Sequence, residues 1–278
     1  MLGSNGRMVF LCWNLNKRPL NQLVADLAHS KQVDVVILLE CTVATAEVLK
    51  SLYTATGEVF HYSNSPVQMK TIRVFTRFSH QFIRPVEESQ RYSIRHLAAP
   101  AQTDLLLAVV HFPSKLYWTD ESQAQECNVL ARMIDSAEKR IGHFRTILVG
   151  DLNMNPFEKS IVGTMGLNAT MARSEALKEL RTVQRKHHRF FYNPMWGHFG
   201  DSRNSPPGTY HYDNHQHVTY FWNMFDQVLV RPSLIRNMET NGIQIVDRIG
   251  AVSLLTADGT PDASVGSDHL PLLFRMRL

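Results

Sequence analysis

An α+β fold, in which two β-sheets pack together and carry helices on their outer faces, is the architecture this sequence predicts. Two observations carry that expectation. Apolar runs of strand length recur along the chain, at Met8 to Trp13, Asp34 to Glu40, Leu105 to His111, Thr146 to Asp151, Met224 to Val230 and Leu272 to Leu278. Segments with helical spacing of apolar residues fall between them in mixed order rather than in strict alternation. No Pro-, Gly- or Ser-rich linker divides the 278 residues, 44% of which are hydrophobic, enough to bury a large core. One domain over residues 8 to 278 is therefore expected, preceded by a flexible Met1 to Arg7.

Met8 to Trp13 reads as a buried strand closed by the amides of Asn14 and Asn16. Leu20, Leu23, Val24 and Leu27 then follow the helical period, which predicts an amphipathic helix over Asn21 to Ser30. Asp34 to Glu40 is a second apolar strand, ending in a carboxylate. Strand, helix and strand at this spacing predict a βαβ-like start with both polar strand ends on one side. Thr45 to Leu52 is expected to be helical, and Thr71 to Phe78 and Arg91 to Leu97 alternate as half-buried strands do. Leu105 to Val110 leads into His111, and Pro113 stops the strand. The longest helical pattern runs from Glu121 to Ile141, opened by Asp120 and Glu121, with Val129, Leu130, Met133, Ile134 and Ala137 facing inward. Asn168 to Thr182 is expected to be another helix. Gln184 to His217, polar, aromatic and rich in His, Gly and Pro, has the profile of a long functional loop. Asp226 begins a strand instead of ending one, and Val265 to Pro271 precedes the closing strand.

The formal charge of +4 leans toward an anionic partner without requiring one. Cys12, Cys41 and Cys127 are odd in number, widely separated and free of C-x-x-C spacing, so neither a disulfide framework nor a zinc ribbon is indicated. The run from Met8 to Trp13 is too short for a signal sequence, and no stretch reaches the ~20 apolar residues of a membrane span. A soluble protein in a reducing, cytoplasmic setting is expected.

The stretch Thr146-Ile-Leu-Val-Gly-Asp151-Leu-Asn153-Met-Asn-Pro156 concentrates the chemistry. An ionised carboxylate at the mouth of a buried strand is expensive unless it is paired or holds a metal. Alone, Asp151 and Asn153 read more readily as an Asx turn that caps the backbone, since loops are rich in Asp and Asn. They are not alone: Asn14, Glu40, His111, Asp226, Asp268 and His269 also stand at the boundaries of apolar runs, and loops at one edge of a sandwich can converge on one pocket. Carboxylates, amides and two imidazoles, with no Cys ligand and no H-E-x-x-H, suit a hard cation on oxygen ligands, Mg2+ or Mn2+, better than zinc. No P-loop, G-x-G-x-x-G or G-x-S-x-G occurs, which disfavours nucleotide-driven, dinucleotide and serine-hydrolase chemistry.

The motifs W-N-L-N, L-L-E, V-V-H-F, G-D-L-N-M-N-P, F-D-Q-V-L-V and G-S-D-H-L-P, in that order across nearly the whole chain, resemble those of the endonuclease/exonuclease/phosphatase superfamily, the DNase I-like enzymes. That resemblance implies a four-layer αββα sandwich and metal-assisted attack of water on a phosphate ester. It implies that Glu40, with Asn14 and Asp268 near it, holds the metal. By the same resemblance Asp151 and Asn153 orient the attacking water and hold the phosphate, Asp226 and His269 act as an Asp-His pair, and His111 lies near the leaving oxygen. Asn14, Asn153 and His111 would thus also bind substrate. Whether Asp151 or His269 takes the proton is open at this stage. Asn16 stands where several family nucleases carry an acid, removing one negative contribution to the metal site. No W-C-D-R signature is present, which disfavours inositol phosphates.

Three functions follow as candidates. A nuclease acting on DNA or RNA is favoured by the basic balance and by Arg185-Lys-His-His-Arg-Phe-Phe-Tyr192, which interleaves cations and rings as single-strand binders do, although a helix end running into a core-anchoring Phe pair gives the same letters. A phosphatase or sphingomyelinase-like enzyme on a small or lipid phosphoester shares the motifs. A binding module that lost catalysis should lack one of Glu40, Asp151, Asp226 or His269, and none is lacking. His211, His215 and His217 carry spacing usable by a transition metal, although free loop histidines are commoner. Trp118 and Trp196 are read as buried or as substrate-stacking.

Overall fold

A computed structural model describes residues 6–65, 71–98, 103–201, 205–215, 217–239 and 241–278. Two mixed sheets of six and seven strands pack face to face and share one apolar core, as the sequence predicts. Met1 to Asn5, most of the segment expected to be flexible, lie outside the described residues, and Arg7 is the first residue of strand β1 (Arg7–Asn14).

The βαβ start forms as expected. Helix α1 (Asn21–Lys31) carries the chain to β2 (Val35–Leu39), which runs parallel to β1 with Leu39 opposite Asn14. Helix α2 (Thr45–Thr56) packs on α1, β4 (Ile72–Thr76) pairs antiparallel with β2, and β3 (His61–Tyr62) pairs antiparallel with β4 at the sheet edge. The second sheet repeats this construction. After β5 (Ile83–Glu88) and β6 (Tyr92–Leu97), β7 (Leu105–His111) is joined through helix α3 (Asp120–Ile141) to β8 (Thr146–Asp151), parallel to it with His111 opposite Asp151.

Each sheet is thus built around a helix-bridged parallel pair, and such strands are covered on both faces, which explains their unbroken apolar runs. Leu105, Leu107 and Val109 face the core between the sheets, while Leu106, Ala108 and Val110 meet Leu130 and Ile134 of α3. The antiparallel strand Asp226–Val230 lies beside β8 with Asp226 opposite Asp151, and Leu272–Arg277 lies beside β1 with Leu272 opposite Cys12. Two parallel pairs end, and two antiparallel strands begin, at the same edge of the sandwich.

Gly150 permits the close approach of the paired strands β7 and β8. Its φ is 142°, and an added Cβ would stand 2.0 Å from the carbonyl oxygen of Val110. Gly150→Ala must therefore push the two strands apart, for about 3 kcal/mol or more of lost stability. A melting midpoint several degrees below that of the parent chain is the expected result in thermal denaturation; an unchanged midpoint contradicts so close an approach.

The expected helix over Asn168 to Thr182 is not there. The segment holds only a short helix, Arg173–Ala176, between the strands Ala169–Thr170 and Leu180–Val183. Leu180–Val183 pairs with Lys186–Arg189 around Gln184 and Arg185, whose φ values of 49° and 63° make a left-handed two-residue turn. Such turns favour Asn-Gly or Asp-Gly, so Gln-Arg gave no hairpin signal. The loop expected from Gln184 to His217 accordingly contains strands at Lys186–Arg189, Phe191–Tyr192 and Tyr210–Tyr212. Within it Phe190 and Phe191 are buried, and the Arg231 guanidinium lies 4.0 Å over the Phe191 ring. The Phe pair anchors the core as one reading expects, but it follows a hairpin strand, Lys186–Arg189, and not a helix end. Among the described residues no helix is long and apolar enough to cross a membrane.

Candidate active site

The shared edge of the two sheets opens into a cleft of about 580 Å³. All the polar strand ends singled out in the sequence lie at this edge, and each lines the cleft except Asp226, which is buried behind His269. Asn14 comes from the end of β1 and Glu40 from the residue after β2. His111 and Asp151 end the neighbouring strands β7 and β8, and Asn153 follows in the next turn. His269 and Asp268 precede the closing strand.

Asp151 is the hub. It is 1% exposed, and its Oδ2 accepts a 2.9 Å hydrogen bond from Asn14 Nδ2, linking the two sheets. Its Oδ1 accepts the backbone N–H of Asn153 at 2.8 Å, the Asx-type contact foreseen from the letters. Two imidazoles face the same Oδ2, His269 Nε2 at 3.9 Å and His111 Nε2 at 4.0 Å. One oxygen of the Asp151 carboxylate thus shapes the turn, and the other faces Asn14 and the two imidazoles.

Asn153 sits at φ 48° and donates one amide hydrogen from Nδ2 to the carbonyl of Phe112 at 2.8 Å, so its second hydrogen remains for the cleft. Glu40 also adopts a left-handed φ, 48°, a conformation that costs a residue other than Gly about 1–3 kcal/mol. Its backbone is held there by hydrogen bonds to Thr71 and from Lys17. The turn swings the Glu40 carboxylate into the cleft, where His111 Nε2 stands 3.3 Å and Lys17 Nζ 3.6 Å away. The hydrogen bond from His111 holds the Glu40 carboxyl below its ordinary value, with Lys17 and His269 adding to the effect against partial burial.

Asp226 accepts from or shares a proton with His269 Nδ1 at 2.7 Å, leaving Nε2 toward the cleft. Burial opposes the charge on His269, but Asp226 and Asp151 outweigh it and hold the imidazolium up to about 10. Burial raises the Asp151 carboxyl, while His269 and His111 pull it back. Asp268, half-buried at the cleft wall, accepts the Ser267 hydroxyl at 3.1 Å. Glu40, Asp268 and the Oδ1 of Asn14 offer oxygen donors with no thiolate among them, a set that fits a hard divalent cation.

No protein-family model and no curated protein matches the sequence. Solved structures match its shape. TDP2 from D. rerio, complexed with single strand DNA product, aligns at a TM-score of 0.58 and 14% identity over 98% of this chain and 99% of that one. The endonuclease domain of TRAS1, a telomere-specific non-LTR retrotransposon, aligns at 0.55 and 13% over 98% and 99%. An endonuclease/exonuclease/phosphatase family protein from Bacteroides thetaiotaomicron aligns at 0.54 and 12% over 97% of both chains. The chain has the endonuclease/exonuclease/phosphatase fold. Identities this low establish the fold alone, and the fold reaches across nearly the whole chain.

On this endonuclease/exonuclease/phosphatase frame, further residues brace or line the cleft, and Thr209 and Tyr210 among them were left unmarked by the sequence. The Thr209 hydroxyl accepts the Asp226 N–H at 3.1 Å, and its carbonyl accepts the Leu270 N–H at 2.8 Å, so one residue braces both members of the Asp-His pair. The Tyr210 ring packs 4.7 Å from the His269 ring. Burial and the nearby Asp268 push the Tyr210 hydroxyl up to about 12, so it stays protonated. Trp13 Nε1 donates to the His269 carbonyl at 2.8 Å. Arg91, 5.7 Å from the Trp118 ring, lines the cleft with Trp118 and Lys17. The alternation Tyr210, His211, Tyr212 was the available signal for a strand here. Of the histidines once weighed as ligands, His211 packs against Trp222, His215 and His217 are exposed, and the three form no metal-holding group among the described residues. A separate group, His96, Asp104 and His143, lies at the opposite end of β7, where Arg145 holds Asp104.

Proposed function

We propose that the chain is a divalent-metal-dependent phosphodiesterase that hydrolyses nucleic acid. The observation that carries this reading is the meeting of Asp151 with Asn14, His111 and His269, contributed by both sheets, in one cleft with Glu40. The D. rerio TDP2 structure, with its single strand DNA product, supports nucleic acid as the substrate. So does the lining of the cleft, where Lys17, Arg91 and Trp118 bring together two cations and a ring.

Glu40, with Asp268 and Asn14, would hold Mg2+ or Mn2+, which would supply positive charge to neutralise the phosphate and stabilise the departing oxygen. The remaining steps belong to the side chains. With its pKa near 10, His269 is an imidazolium at neutral pH and has no lone pair to accept a proton. The base is therefore Asp151, whose burial raises its basicity. Asp151 takes the proton as water oxygen bonds to phosphorus, and His269 Nε2 and the free amide hydrogen of Asn153 stabilise the charge that grows on the phosphate oxygens. As the ester P–O bond breaks, His111 offers its Nε2 hydrogen toward the departing oxygen from its place between Glu40 and Asp151.

Incubation of the purified chain with Mg2+ and labelled single-stranded DNA, duplex DNA, RNA, sphingomyelin vesicles or inositol phosphates tests this. Nucleic-acid cleavage that a chelator stops, and that weakens steeply with added salt, is expected. Turnover confined to the lipid or to inositol phosphates contradicts the substrate assignment, and chelator-resistant cleavage contradicts the metal.

A further inference from the structure

Beside the catalytic cleft lies a second pocket of about 290 Å³, and the two share Ser114, Leu116, Asn153, Tyr210 and Phe225. We propose that this pocket receives one unpaired nucleobase, that of the nucleotide adjoining the scissile phosphate, so that the enzyme takes single-stranded or locally opened nucleic acid. The inference rests on the nucleic-acid reading above and adds to it which part of the substrate is gripped, and by what.

One wall of the pocket is a run of rings that begins inside the active site. Tyr210, 4.7 Å from His269, stacks on Phe225 at 5.3 Å with 24° between planes, and on Tyr212 at 6.4 Å with 18°. The strands Tyr210–Tyr212 and Phe221–Asn223 pair as a hairpin that carries this wall outward, and its base is fixed to the catalytic pair through Thr209. A phosphate held at Asp151 and a base against Tyr212 would therefore lie along one continuous wall, on a frame that shares its anchors with the site.

The lining also says which occupant fits. It contains no carboxylate, and its one cation, Lys115, has its ammonium 3.0 Å from Asp120 and in contact with Glu158. Such a pocket has no free cation to neutralise a phosphate. Three amides and several hydroxyls among the rings make it equally unsuited to a hydrocarbon tail, whereas a flat, neutral, hydrogen-bonding heterocycle matches both features. Its volume lies at the low end of the ~300–1,000 Å³ of ligand sites, a fit for one base and not for a duplex. Tyr212, Tyr220, Leu116 and Val218 stay 40–71% exposed around it, apolar surface that a stacked base would cover. In the adjoining cleft, Lys17 and Arg91 supply the charge that the pocket lacks, which leaves the sugar-phosphate chain to run there.

The test uses the full chain with Mg2+ and a single-stranded oligonucleotide whose cleavage position has been mapped, together with versions lacking one base on either side of that position. For the parent chain, loss of one adjoining base is expected to raise KM about 10-fold or more, and loss of more distant bases to raise it less. Tyr212→Ala should raise KM for the intact strand to a similar degree and erase the difference between intact and abasic strands, and Tyr212→Phe, which keeps the ring, should restore that difference. Cleavage of nucleic acid with a KM indifferent to every missing base overturns the pocket assignment and leaves the proposed activity standing. An abasic penalty that persists undiminished in Tyr212→Ala also overturns it. Absence of any nucleic-acid cleavage, or a preference for lipid vesicles, overturns the proposed activity and this inference together.

Discussion

Asp151→Asn is expected to lower kcat by about 100- to 10,000-fold with the fold intact, because it removes the proton acceptor and the charge that faces His269. The replacement is isosteric, and an amide oxygen at the Oδ1 position still accepts the Asn153 N–H that shapes the turn. At the Oδ2 position, however, an amide meets the Asn14 donor and the Nε2 atoms of two imidazoles. An amide cannot take a proton from water, and it does not balance the imidazolium of His269. Asp151→Ala should abolish turnover as well, but it also strands the Asn14 and Asn153 donors, each worth about 1–3 kcal/mol when buried without a partner. The asparagine variant is therefore the cleaner measurement. Steady-state kinetics with thermal denaturation of both variants checks it, and near-normal turnover in Asp151→Asn would remove Asp151 from the reaction.

That so much of this site could be read from the letters has a physical cause. Strands buried on both faces must be apolar throughout, so the first polar residue after each run marks where the strand leaves the core. Asn14, Glu40, His111 and Asp151 are such residues. The parallel register that places Asn14 opposite Leu39, and His111 opposite Asp151, then brings those ends together. The pairing between sheets was not legible. Glu40 belongs to the first sheet and His111 to the second, and their 3.3 Å contact depends on how the sheets face one another, which no local pattern records.

Weaker local signals were missed for equally specific reasons. Strand β5 carries Pro85 within a register shift between Pro85 and Glu87, and so lacks a clean alternation. The Gln184-Arg185 turn uses residues that rarely adopt its left-handed backbone, and a run of polar letters beside it looked helical. Thr209 and Tyr210 lie in a stretch whose composition reads as loop, yet Thr209 braces Asp226 and Tyr210 packs on His269. Their importance comes from what they touch, and those contacts span many residues of sequence.

The pair formed by His269 and Asp226 yields the other large effect. His269→Ala is expected to cost about 100- to 1,000-fold in kcat, the usual loss when one preorganised donor at a developing charge is removed. The same pair leaves a mark on stability that catalysis does not enter. In chelator-treated protein the folded-state pKa of about 10 exceeds the ~6.5 of an unfolded histidine, so the native state binds the extra proton between those values. The stabilisation is complete below about pH 6.5 and is lost as pH rises through about 10. Denaturant melts of the parent chain and of His269→Ala should therefore differ most at the acid side of that window and converge toward its alkaline end. A difference that is flat with pH would mean that His269 is neutral when folded. Asp226 would then only orient the ring, and the proton acceptor in hydrolysis would have to be sought again between Asp151 and His269 itself.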